Sequence, residues 1–238
     1  MSTVSVVISK KHPEFNNHLA IGGVVPFTTI DFPGKLSAVV FCKGCSWSCS
    51  YCQNPHLIAT APGNDWEKLE SFMRQRKGLL EAIVFSGGEP LLQFGLESAL
   101  MYCQEMGFAT GLHSSGSLPQ RFARVLPRLD WVGFDVKTIF SKYTDITGIP
   151  GSGEKARTSL KLLLDSNVNY EVRTTVDQQY IDYNILWKLA LELKGMGVRS
   201  YVLQRCRTEK QVVMPDLLSD KKWLTKISDL FENFEVRS

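Results

Sequence analysis

The sequence predicts an α/β protein of one domain, with parallel strands curved into a partial (βα)6 barrel. Three observations predict it. Short apolar runs rich in β-branched and aromatic residues alternate with helix-like stretches six times, the pattern of repeated right-handed β–α–β crossovers. Residues of functional type follow four successive runs, as "FCKGC", "SGGEP", "HSSG" and "DVK". Six β–α units could form an open doubly wound sheet or an incomplete barrel; in both, sites collect at the C-terminal ends of strands, and a curved sheet aims four such ends at one point better than a flat one. The chain has 238 residues, 44% hydrophobic and 21% charged, enough for one large domain with a full core.

The predicted strands are Ser37–Cys42, Glu81–Ser86, Phe108–His113, Trp131–Val136, Asn169–Thr175 and Ser200–Arg205. Each is a short apolar run, as parallel strands covered on both faces require. Between them the pattern predicts helices over Asp65–Arg76, Leu91–Met106, Leu118–Leu126, Glu154–Asp165 and Asp182–Gly195, with Gly78, Gly107 and Gly195 as C-terminal stop signals. An antiparallel strand is expected at Gly23–Pro26, ahead of the first parallel strand. "LSDKKWLTKISDLFENF" reads as an amphipathic C-terminal helix. The expected organisation is an N-terminal extension (1–21), a barrel core (22–207) and a C-terminal helical extension (208–238).

Composition excludes several classes. The formal net charge is only +3 and no long block of like charge occurs, which argues against a nucleic-acid partner. No apolar stretch approaches the roughly 18 to 20 residues of a membrane span. The opening "MSTVSVVISKK" lacks the regions of a signal peptide. A cytoplasmic location is therefore expected. Thiols stay reduced there, and clustered cysteines more often bind metal than form disulfides.

Four of the six cysteines fall in "FCKGCSWSCSYCQNP", as Cys42-x2-Cys45-x3-Cys49-x2-Cys52. Incidental burial, a zinc site and an iron–sulfur site compete for them. Zinc sites usually separate two C-x2-C pairs by a dozen or more residues, so that two knuckles close on one ion. Here the separation is three. Iron–sulfur clusters take close thiolates from one loop. Cys42, at the end of a strand, reads as a packing residue, with a ligand role as the rival. Cys103 and Cys206 also read as packing residues.

Cys45-x3-Cys49-x2-Cys52, with Tyr51 before the last cysteine, resembles the signature of the radical S-adenosylmethionine (SAM) superfamily. The resemblance implies a partial TIM-like barrel in which these three cysteines hold three irons of a [4Fe–4S] cluster. The fourth iron is left open for the amino and carboxylate groups of SAM. It carries Tyr51 and Asn54 of the loop to cofactor-binding positions. "GGEP" resembles the superfamily's GGE motif, which places Gly87, Gly88 and Glu89 at the amino group of SAM. Lys137 of "DVK" would meet the SAM carboxylate as a point charge, with Asp135 beside it, and Ser115 would bond the ribose. His113 stands where related activases carry an acid that helps hold a cation. Arg173, Thr175 and Gln204, at later strand ends, read as pocket-lining or as ordinary polar strand ends.

"DFPGKLSAVVFCKGCSWSCSYCQNP", "FSGGEPLLQ", "GFDVK", "YTDITG" and "YEVRTTV" together resemble the activating proteins of anaerobic ribonucleoside-triphosphate reductase, from about Gly22 to Arg207. "CQNP" departs from the commoner "CHNP". This family implies a reaction. One electron from the reduced cluster cleaves SAM to methionine and a 5′-deoxyadenosyl radical, which takes hydrogen from a glycine of a glycyl-radical enzyme. A reduced flavodoxin- or ferredoxin-type protein would donate the electron. Two alternatives stand beside it. One is a radical SAM enzyme acting on a small molecule, such as a 7-carboxy-7-deazaguanine synthase-like reaction. The other is a non-enzymatic electron carrier, which would want four ligands and no GGEP.

Overall fold

Parallel strands whose order in the sheet repeats their order in the sequence curl into a barrel, because every right-handed crossover then lays its helix on the same face. The computed structural model of the chain, which describes residues 19–60, 65–206 and 216–237, has this topology. Its eight strands lie in the order β1 to β8. β1 (Ile21–Thr28) is antiparallel to β2 (Ser37–Cys42). β2, β3 (Ala82–Gly87), β4 (Ala109–Ser114), β5 (Trp131–Asp135), β6 (Asn169–Val176), β7 (Ser200–Arg205) and β8 (Asn233–Arg237) run parallel. β1 and β8 are the two edges, so the barrel is open.

The helices α1 (Trp66–Arg76), α2 (Leu96–Glu105), α3 (Pro119–Val125), α5 (Ser152–Leu164), α6 (Tyr183–Met196) and α7 (Lys221–Ser228) form the outer layer. Alternate strand residues meet them. Ala38, Val40, Ile83, Phe85, Leu112, Val132, Phe134 and Val172 share one large core with Leu69, Leu100, Phe122, Leu160 and Leu189 of the helices. The opposite strand faces point into the barrel. Phe32, Val39, Ala82, Val84 and Trp131 fill its lower end. Phe32, from the loop after β1, packs its ring on Trp131 with centroids 5.6 Å apart. Above this plug the inward residues turn polar: Ser86, His113, Asp135, Arg173, Thr175 and Gln204.

Two stretches differ from the sequence reading. The C-terminal stretch is not one helix: α7 stops at Ser228, and Asn233–Arg237 joins the sheet beside β7. Phe234 and Phe231 pack on Tyr201, and Arg237 reaches Glu171 of β6 at 2.7 Å. Residues assigned to a C-terminal extension are therefore part of the barrel. Leu91–Met106 breaks into a 3₁₀ turn (Pro90–Leu92) and α2, with Gly95 as the new helix N-cap. A short helix not read from the sequence, α4 (Tyr143–Thr147), lies within "YTDITG". Most of the N-terminal extension (1–18) and the core boundary near residue 207 lie outside the described residues; Leu19, within that extension, is already fully buried. Among the described residues no helix is long and apolar enough to cross a membrane.

Candidate active site

The loop leaving β2 is held on three sides by backbone groups. Gly88 N–H donates to the Cys42 carbonyl (2.9 Å), and Glu89 N–H donates to the Gly44 carbonyl (2.8 Å). Gly44 and Cys45 donate to Leu57 and Ile58 of the loop's returning limb (2.7 and 3.1 Å). The last carbonyls of α4, which have no partner inside the helix, accept from the cysteine loop: Ser50 N–H to Ile146 (3.1 Å) and Ser48 N–H to Thr147 (3.2 Å). The two glycines of GGEP are required by this packing. A Cβ on Gly88 would overlap the Gly44 carbonyl. Gly87 has a φ of 109°, and a Cβ there would sit 2.5 Å from the Cys42 backbone nitrogen.

The loop roofs a cavity of about 280 Å³ at the C-terminal ends of the parallel strands. Cys45, Cys49 and Cys52 line it and are partly exposed. Cys42 is fully buried on the helix side of β2 and belongs to the core. Cys103 is buried against Met73 at 3.5 Å, and Cys206 lies 4.0 Å from Asp177. Burial pushes the Cys45 thiol up to about 11, with Glu89 and Cys49 adding to it and Lys137 opposing. Burial raises Cys49 as well, against a lowering by Lys137. Thiols held this high ionise at neutral pH only when a cation replaces the proton, as a bound iron does.

Tyr51, Asn54, Gly87, Gly88, Ser115, Asp135 and Lys137 all border the same cavity. Tyr51 is buried, its hydroxyl 3.5 Å from the Lys137 carbonyl, and desolvation holds its phenol protonated. Lys137 Nζ approaches Asp135 Oδ2 at 3.4 Å, and Arg173 Nε donates to Asp135 Oδ1 at 3.0 Å. Gly133 leaves the space that the Arg173 guanidinium fills, since a Cβ there would stand 2.7 Å from its central carbon. Burial pushes the Asp135 carboxyl up, but Arg173 and Lys137 outweigh it and hold the group down to about 2. Two cations thus share one carboxylate at the cavity wall.

His113 Nε2–H donates to the Asp31 carbonyl (3.1 Å), its ring edge-on to Trp131. Burial and the Arg173 charge hold it down to about 3, so it is neutral at physiological pH. Asp31, Trp47 and Ser114 are cavity residues that the sequence reading did not assign, whereas Arg173 was read as a pocket-lining candidate. The signal for Asp31 was the "DFPG" run, whose loop enters the barrel from below. Thr175 and Gln204 line the cavity too.

Glu89 stands apart from this wall. It is fully buried and is absent from the cavity lining. Its Oε1 accepts from Ser114 Oγ (2.8 Å) and Leu91 N–H (3.3 Å), and its Oε2 from Ser115 Oγ (2.7 Å) and Ser115 N–H (3.1 Å). The Ser115 hydroxyl is thereby turned toward Glu89. The carboxylate ties the GGEP turn to the end of β4, beneath the surface that a ligand would touch.

The donor set fits the expected cofactors. Among the described residues three thiols, and not a fourth, line the cavity, and a pair of cations with one counter-charge suits the carboxylate of an amino acid. The chain belongs to the radical SAM superfamily: residues 39–177 match that family, described as "Radical SAM superfamily". Its members use a [4Fe–4S] cluster and SAM. Among relatives, the chain is 31% identical over 193 residues to a Methanocaldococcus jannaschii protein provisionally named a glycyl-radical enzyme activating enzyme, covering 78% of this chain and 79% of that one. It is 25% identical to the 7-carboxy-7-deazaguanine synthase of Thermococcus kodakarensis over 77% and 79% of the two chains. It is 35% identical to the pyruvate formate-lyase-activating enzyme of Clostridium pasteurianum over 50% and 53%. The fold also matches Streptococcus suis SuiB bound to S-adenosylmethionine, with a TM-score of 0.64 at 16% identity. That match covers 82% of this chain but about half (48%) of SuiB.

Proposed function

We propose that this chain is a glycyl-radical enzyme activating enzyme, and that its partner is an anaerobic ribonucleoside-triphosphate reductase. The observation that carries the activase reading is the 31% identity to the archaeal activating-enzyme relative across nearly four fifths of both chains. The reductase as partner rests on the wider motif resemblance. When bound, the reduced cluster supplies the electron that cleaves SAM, and the cleavage supplies the means to take a hydrogen atom.

The protein's own part is binding, orientation and exclusion of water. Cys45, Cys49 and Cys52 hold the cluster at the cavity roof. Lys137 and Arg173 attract the SAM carboxylate, while Asp135 fixes both cations in place. Gly87 and Gly88 bring backbone close to the ligand. Neutral His113 and protonated Tyr51 add no charge to the wall. The opening between β1 and β8 offers a route for a glycine-bearing loop. A reduced flavodoxin- or ferredoxin-type protein would deliver the electron. The setting would be the reducing cytoplasm.

A small-molecule reaction is the second reading, favoured by the 25% identity to the deazaguanine synthase over a similar span. Anaerobic incubation with SAM, a reductant and a candidate glycyl-radical enzyme separates the two. Electron paramagnetic resonance should show a glycyl doublet that requires this protein. SAM cleavage without such a doublet, stimulated only by a small molecule, would favour the second reading.

A further inference from the structure

We infer that Gln93 is a positioning residue for the cluster-binding loop, acting through the carbonyl of Lys43. The loop leaves β2 through three consecutive carbonyls, those of Cys42, Lys43 and Gly44. The GGEP segment satisfies all three. Two are met by backbone, Gly88 N–H on Cys42 and Glu89 N–H on Gly44. The middle one is met by a side chain: Gln93 Nε2 donates to the Lys43 carbonyl at 2.6 Å.

The same amide works in both directions. Gln93 Oε1 accepts from Ala20 N–H at 2.8 Å, and Lys43 N–H donates to the Ala20 carbonyl at 2.9 Å. Ala20, Lys43 and Gln93 therefore close a ring joining the segment before β1, the cysteine loop and the GGEP turn. Gln93 is well placed for this. Its own N–H donates to the Pro90 carbonyl (2.9 Å), which ends the 3₁₀ turn and fixes its Cα. All three ring members are partly buried, so water replaces the lost bond poorly.

The consequence falls on Cys45. A freed Lys43 carbonyl leaves the Lys43–Gly44 peptide held through its N–H alone, on the Leu57 carbonyl (2.7 Å), so that it can turn about that bond. Gly44 already has a φ of 89°, so the chain turns there, and Cys45 follows directly. Rotation of that peptide redirects the first of the three thiols. No carboxylate can substitute for the amide, because the Lys43 carbonyl needs a donor and the Ala20 N–H needs an acceptor.

The test uses cluster-loaded full-length protein under anaerobic conditions, with Gln93→Leu and Gln93→Glu. Tyr201→Phe is the control. It removes the buried hydrogen bond that Tyr201 of β7 donates to Thr174 of β6 (3.0 Å), away from the loop. Two readouts follow: the rate of iron loss to a ferrous chelator, and the paramagnetic resonance line shape of the reduced cluster. Both Gln93 variants should lose iron about tenfold faster than wild type and show broadened or shifted g-values. Gln93→Glu should do so although it keeps an acceptor for Ala20. Tyr201→Phe should lower the urea midpoint while leaving iron retention and line shape unchanged. Wild-type iron retention and line shape in the Gln93 variants would overturn the inference. So would iron loss that tracks the urea midpoint equally in the Gln93 and Tyr201 variants. If Gln93→Leu does not fold, Gln93→Glu decides on the same readouts; failure of both to fold would also overturn it, since a positioning residue leaves the fold intact.

Discussion

Replacing Glu89 with glutamine keeps the side chain's length and volume and changes only what its end can accept. The native carboxylate takes four donors, two on each oxygen. A glutamine amide has one accepting oxygen. Turned toward Ser115, that oxygen keeps both Ser115 donors, while the NH₂ group faces Ser114 and Leu91. The Ser114 hydroxyl can rotate and accept; the Leu91 N–H cannot. The reverse orientation strands the Ser115 N–H instead. Either way one buried backbone donor loses its partner and the three bonds that remain become neutral, a loss offset in part by the lower cost of burying an uncharged group, for about 1 to 3 kcal/mol. With a urea slope of about 3 kcal/mol per molar, the midpoint should fall by about 0.3 to 1 M. Tryptophan fluorescence of the cluster-loaded protein in urea would follow it. The affinity for SAM, titrated on reduced protein, should fall less than about fivefold, because Glu89 lies behind the cavity wall. Were Glu89 itself to hold the amino group of SAM, affinity would fall about ten- to a hundredfold with little loss of stability. That result would refute the positioning role.

Other outcomes follow from the same geometry. Alanine at Cys45, Cys49 or Cys52 should each remove most of the iron, whereas Cys42→Ala, on the helix side of β2, should keep it; iron per chain after anaerobic reconstitution checks both, and equal loss in the Cys42 variant would contradict the three-ligand site. Gly88→Ala should push the GGEP turn off the Gly44 carbonyl, at a cost of about 1 to 3 kcal/mol, and should weaken cluster retention more than Gly78→Ala on the surface would. His113 has its pKa lowered from 6.5 to about 3 by burial and Arg173. Between those values the unfolded chain takes a proton that the folded chain refuses, so stability falls as pH drops below about 6.5, by up to about 1.4 kcal/mol per unit. His113→Asn should flatten that slope, read as urea midpoints at pH 7.5 and 5.5; parallel slopes for variant and wild type would show that His113 is not held neutral.

The six strands read from the sequence appear as β2 to β7, each displaced by no more than one residue at either end. They were legible because a strand covered on both faces leaves an apolar run that nothing else of that length resembles. β8 was not, because Leu224, Ile227, Phe231 and Phe234 keep three- and four-residue spacing straight through the end of α7. Alternation begins only at Asn233, too late to register. α4 has five residues and no period to read. In the site, the three cysteines are local in sequence, so their spacing carries their chemistry. The pairing of Asp135 with Arg173 depends on β5 and β6 lying side by side in register, which no local pattern reveals. Gln93 stood in plain view in "GGEPLLQ", yet its partners lie 73 and 50 residues away. Glu89 shows the limit from the other side: a motif identified the residue, and only its burial showed which way the carboxylate faces.

The activase reading is tested most directly by the origin of the hydrogen atom. The candidate partner would be prepared with deuterated glycine and activated anaerobically with unlabelled SAM, reductant and this protein. The 5′-deoxyadenosine formed would then be examined by mass spectrometry. The account predicts one deuterium in 5′-deoxyadenosine, appearing in step with the glycyl doublet and lost when the target glycine is replaced by alanine. Deuterium-free 5′-deoxyadenosine from the labelled partner, together with label transfer only from a small molecule, would contradict the activase while leaving the cluster and SAM site intact.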